Sequence, residues 1–123
     1  MSPLALACYA VLRLVVPSRT DPRLSYSKLV SRLPQEFQYL SLENPQHRNE
    51  LSEALGEIVS ACRTRSLPAL PAVVVKLVRD ELEYPGAGYY PVAHPGVEDS
   101  DSLLVLWGRE LEQVQVTQYP VNL

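Results

Sequence analysis

The sequence predicts an α+β fold, mainly helical with one antiparallel β-hairpin, in an order compatible with a winged-helix-like arrangement. Three observations lead there. Leu51, Leu55, Ile58, Val59 and Cys62 match a helical stripe without a miss. "LPALPAVVVKLV", 67–78, opens with two prolines that rule out a helix start, and its run Val73, Val74, Val75 favours a strand. "GYYPVA", 88–93, reads as the second strand of the hairpin, with Pro91 pushing it toward a sheet edge. A chain of 123 residues suits a single domain, 1–123. With 46% hydrophobic and 20% charged residues it can bury a core without staples and is too apolar for disorder.

The elements follow in order. Ser2 is a good N-cap and Pro3 suits the first helical position, so a helix is expected over 3–15. Leu4, Cys8, Val11, Leu12 and Val15 share one face, and Leu6, Ala7 and Leu14 widen it. The segment resembles a signal peptide at first sight. It lacks a charged start and a small-residue cleavage site, and its apolar run is too short to span a bilayer. The expectation is a buried helix, no membrane partner and a cytoplasmic location. Were this helix not covered within one chain, it would offer a homodimer surface.

Residues 24–34 form a short helix capped by Ser25, with Tyr26, Leu29, Val30 and Leu33 inward and Pro34 closing it. Residues 35–43 read as either a short strand or a packed loop. Asn44-Pro45 opens the long helix, which ends near Arg65 with basic residues in its last turn. "EDSDS", 98–102, starts a last helix in which Leu103, Leu104, Trp107, Leu111 and Val114 share a face. Gly108 weakens it by about 1 kcal/mol, and "SLLVLW" alone would also suit a strand. "VTQYPVNL" reads as a loosely docked tail.

Charge and motifs exclude more than they assign. The net charge is −3 and the pI about 5.3, so the global basic footprint of a nucleic-acid binder is missing. In a winged helix the third helix would enter the groove. Here Arg48, Arg63 and Arg65 are cancelled by Glu50, Glu53 and Glu57. Lys28, Arg32, Lys76 and Arg79 are the better candidates for nucleic-acid contact. Cys8 and Cys62 lie on apolar stripes, as reduced buried thiols do. His94 with Glu98, Asp99 and Asp101 fits neither a zinc nor a calcium pattern, and the acids have a simpler role as helix caps. Asp80, Glu81 and Glu83 look like an exposed turn. The "GAG" at 86–88 lacks the rest of any phosphate-binding signature, and no nucleophile motif occurs. No catalytic residue, metal or cofactor is therefore expected.

One segment is unusual. "YPGAGYYPVAHPG", 84–96, packs three tyrosines, three glycines and three prolines together. Glycine permits and proline restricts, so the segment is shaped rather than floppy. Tyrosine is enriched at protein interfaces. Strand alternation would turn one of Tyr89 and Tyr90 inward and the other outward. Tyr84, Pro85, Tyr89 and Tyr90 are the candidate partner-binding residues, and a protein is the expected partner.

"LSYSKLVSRL", "IVSACRTRSLPAL" and "PAVVVKLVRDELEYPGAGYY" occur in an order that resembles a family of small, uncharacterised prokaryotic and phage-borne proteins. The shared pattern is "lPxL…VVV…PGxGY", and the resemblance covers residues 24–90. It implies that Pro68, Leu70, Pro85, Gly86 and Gly88 shape the fold. It implies no activity.

Overall fold

Backbone hydrogen bonding and side-chain burial together produce five helices and two minimal strand pairs among the described residues of the computed structural model. Those residues are 1–18, 20–79, 81–86 and 88–123, with the backbone alone at positions 18, 78 and 82. Helix α1 spans Pro3–Val15, the bounds its cap and stripe predict. Ser2 Oγ accepts from Ala5 N at 3.2 Å, taking one of the donors that a helix start leaves unpaired. A 3₁₀ turn over Val16–Ser18 follows. Strand β1 is Leu24–Ser25 and helix α2 is Tyr26–Ser31, capped by Ser25 Oγ on Lys28 N. Residues 35–37, open between strand and loop in sequence, form a 3₁₀ turn around buried Phe37.

Helix α3, Pro45–Thr64, is the axis of the molecule. Its predicted stripe, Leu51, Leu55, Ile58, Val59 and Cys62, is buried throughout. Asn44 Oδ1 accepts from Gln46 N at its start. At its end Ser66 takes a left-handed φ of 57°. Leu67 N donates to Cys62 O at 2.8 Å and Ser66 N to Arg63 O at 3.0 Å. That is the crossed pair of bonds closing a Schellman terminus, with serine where glycine is commonest. Helix α1 packs on α3, so its inner face of Leu4, Ala5, Cys8, Tyr9 and Leu12 is covered within the chain. Leu6 and Leu14 stay exposed on its outer face. Ser2 N and Oγ donate to the two Glu57 carboxylate oxygens at 3.0 and 2.7 Å, tying the start of α1 to α3. Those bonds hold the Glu57 carboxyl below its ordinary range.

The expected antiparallel hairpin is not formed, and with it goes the wing of a winged-helix arrangement. Leu70–Val73 is a 3₁₀ turn, and only Val74–Val75 extends as strand β2. Its partner is β1, in parallel register: Leu24 beside Val74, Ser25 beside Val75. A parallel pair needs a crossover, which α2 and α3 provide. The other half of the expected hairpin is helix α4, Tyr89–Ala93. Proline at the third helical position is harmless, because first-turn N–H groups have no intrahelical acceptor. Tyrosine's strand preference is weak enough to yield to packing. A different, two-residue antiparallel pair joins β3, Leu77–Val78, to β4, Glu81–Leu82. Arg79, with φ 51°, lies in its turn.

Helix α5, Ser100–Val116, starts on Asp99, whose Oδ2 accepts from Ser102 N at 2.9 Å and Ser102 Oγ at 2.7 Å. It buries Trp107, Glu110 and Val114, with Leu111 half-buried. Leu104 and Val105 are exposed. The tail docks firmly, against expectation. Tyr119 is buried and donates to Pro68 O at 2.7 Å, and Arg13 Nε donates to Tyr119 O at 3.0 Å. The main core gathers around Leu12, Leu29, Leu51, Ile58 and Leu70. A smaller core of Val59, Ala69, Ala72, Val75, Tyr89, Ala93 and Trp107 lies beneath α4 and α5. Among the described residues no helix is long and apolar enough to cross a membrane.

Candidate functional site

The tyrosine-rich segment starts from a fixed indole. Trp107 is 9% exposed, and its Nε1 donates to Ala72 O at 2.8 Å. The Tyr84 ring meets that indole edge-on, centroids 6.1 Å apart, while Tyr84 remains 51% exposed. Its carbonyl accepts from Lys76 N at 2.8 Å. Tyr84 thus has a held backbone, a held ring edge and a wet remainder. Pro85 behind it is buried.

Gly86 is shaped by contact. Its N–H donates to Tyr26 Oη at 2.8 Å, and a Cβ there would stand 2.6 Å from that same oxygen. No side chain fits such an approach without displacing the tyrosine. Gly88 has the same constraint more mildly, with a Cβ 3.1 Å from Ser52 Oγ. Gly86 O accepts from Tyr89 N at 3.0 Å, starting α4. Ala87 lies outside the described residues, as does Asp80 of the acidic run.

Within α4 the two tyrosines divide, by helical turn rather than strand alternation. Tyr89 is buried at 8% exposure, and Tyr90 is half-buried. Their rings make an edge contact at 5.3 Å, and Tyr89 makes another with His94 at 5.9 Å. Tyr89 Oη and His94 Nε2 are buried with no hydrogen-bond partner among the described residues. Burial, with the Glu110 carboxylate next in effect, pushes the Tyr89 phenol well above its ordinary range. Burial also holds His94 below its ordinary value, which favours neutral imidazole. Beside them Arg63 contacts the buried Glu110 carboxylate directly and donates to Ala93 O at 3.3 Å. This polar cluster joins α3, α4 and α5. Glu110 is absent from the sequence-based candidates, although its place three residues after Trp107 and four before Val114 sets it on the apolar face of α5, where a carboxylate calls for a partner.

The basic candidates are spread out. Lys28 and Arg32 are exposed at α2 and its C-cap. Arg79 is exposed in the β3–β4 turn. Lys76 is exposed too, and it lines a cavity of about 400 Å³ bounded by residues of α2 and α3 and by Gly86 and Gly88. There it is joined by Arg48, which in sequence counted only toward a charge sum. That they line one cavity depends on the fold bringing together elements 28 positions apart, which spacing does not reveal.

The thiols are inert by position. Cys8 and Cys62 are both buried, and desolvation pushes Cys8 up to about 12. Among the described residues no three His, Cys, Asp or Glu side chains gather as a metal ion would require. Asp99, of the His94–Asp101 stretch, serves as a helix cap. Compared with family models, curated proteins and solved structures, the chain matches none.

Proposed function

We propose that this chain is a binding module that acts through contact with a protein partner and has no catalysis of its own. Tyr84 carries the reading. An aromatic ring half in water, backed by a hydrogen-bonded indole, has already lost much of the freedom that binding would remove. Such tyrosines are the anchors of protein interfaces, because they offer large amphipathic area at small entropic cost. Tyr90 lies near enough to feel the Tyr84 phenol, and buried Pro85 and the Gly86–Tyr26 bond hold the backbone that follows Tyr84. Two buried thiols suit a reducing compartment, so the same reading places the module in the cytoplasm.

The experiment compares proteins retained by the wild type with those retained by Tyr84→Ala and Tyr90→Ala variants of matched helical content. A specific partner should weaken by about tenfold or more on loss of an anchor tyrosine. Undiminished retention of every partner by both variants would refute the reading.

A further inference from the structure

The cavity shared by Arg48 and Lys76 has features that tyrosine-mediated contact does not use. Its volume, about 400 Å³, falls within the roughly 300–1,000 Å³ common for small-molecule sites. Arg48 comes from the first turns of α3, and Lys76 from the residue between β2 and β3. Among the described residues no carboxylate lines the space. Neither cation forms an ion pair among the described residues. Acids outnumber bases 14 to 11 along the chain, so a concave surface whose described lining holds two bases and no acid runs against its composition.

The rest of the lining is complementary in kind. Arg48 Nη1 donates to Leu42 O at 3.1 Å, which orients the guanidinium and leaves its other N–H groups available. Asn49 and Ser52 add neutral hydrogen-bonding groups. Tyr26 Oη accepts from Gly86 N, and among the described residues its own proton has no acceptor. Leu42, Leu51 and the Tyr26 ring give the same cavity apolar walls. The glycines form the remaining wall and cannot carry a Cβ without crowding Tyr26 or Ser52.

We infer that this cavity binds a small organic anion, a carboxylate with a short apolar body, held by Arg48 and Lys76 at its charged end and by Leu42, Leu51 and Tyr26 along its body. Two cations without a counter-charge favour an anion, and the apolar walls favour one that is more than a bare ion. The inference goes beyond the protein-contact reading: Arg48, Lys76, Leu42 and Leu51 take no part in the Tyr84–Tyr90 surface, and only Tyr26 and Gly86 border both.

The test is a titration of the ¹⁵N-labelled full chain, followed by amide chemical shifts, with three probes: phenylacetate, 2-phenylethanol and inorganic phosphate. Phenylacetate should move the amides of Asn49, Ser52, Gly86 and Gly88 saturably. The alcohol, lacking charge, and phosphate, lacking a body, should each bind more weakly. The Arg48→Gln/Lys76→Gln double variant should lose about tenfold in phenylacetate affinity, as expected for charge-assisted contacts. Its substitutions are at exposed positions, and well-dispersed amide signals verify its fold. No saturable shift at those amides overturns the inference. So does wild-type affinity in the double variant, or equal affinity for phenylacetate and either control probe.

Discussion

The α1–α3 pair and the segment from 67 to 94 are built on opposite terms. In the first, local signals and tertiary contacts agree. Ser2-Pro3 and Asn44-Pro45 open helices whose apolar stripes are then buried against each other. In the second, local preference and final structure disagree. A valine run yields two strand residues, and a tyrosine pair read as strand becomes helix. Apolar periodicity over a dozen or more residues sums many small preferences into a decisive one. A stretch of five or six residues sums too few, and a neighbour's contact outweighs them.

The sharpest way to break the first region is to empty its centre. Ile58, fully buried on the α3 stripe, should cost about 3–4 kcal/mol as Ile58→Ala. Urea unfolding followed by circular dichroism measures it, and a loss below about 1 kcal/mol would mean that α3 is not the core axis.

The second region should fail through one close contact rather than through volume. Gly86→Ala places a methyl against Tyr26 Oη and should cost about 1–3 kcal/mol. Tyr26→Phe removes the obstructing oxygen, so the double variant should be less destabilised than the sum of the two single changes. Simple additivity in that cycle would show that Tyr26 and Gly86 do not meet.

Where the two regions join, serine occupies a left-handed position. Ser66→Gly relieves its φ of 57° on an exposed residue and should stabilise the chain by about 0.5–1 kcal/mol. An unchanged or lower melting temperature would count against the Schellman geometry there.

The smallest effect concerns pH. His94 is held below its ordinary value of 6.5 by burial, so the unfolded chain binds its proton more readily than the folded one. Its contribution is fully present above that ordinary value and is lost as pH falls through the lower folded value. Glu57 and Asp99, also depressed, act in the same direction in the carboxylate range. His94→Gln should therefore flatten the stability profile between about pH 7 and 5 and leave the acid limb below it unchanged. An unaltered profile in that window would place His94 in water.

The candidate surface was partly legible. The composition of 84–90 marked a shaped segment, and Gly86, Pro85 and Tyr84 are held in place by contacts. Which tyrosine faces water was not legible, because that depends on α4 being a helix and on Trp107 arriving from α5. The Arg48–Lys76 cavity was invisible. Its two cations are 28 residues apart on elements that meet only once the chain crosses over.

Caps and long apolar stripes were enough by themselves to determine the first and third helices and the burial of the two thiols, because each rests on interactions within a few residues or on the need to bury an apolar face; the last helix, open in sequence between helix and strand at 103–107, was settled by the fold. The parallel pairing of Leu24–Ser25 with Val74–Val75, the helical state of 89–93, the burial of Glu110 against Arg63 and the docking of the tail were decided in three dimensions. Each depends on partners 30 or more positions away. Such contacts form only after the chain has collapsed, and no local pattern of residues encodes which of the competing partners will be near.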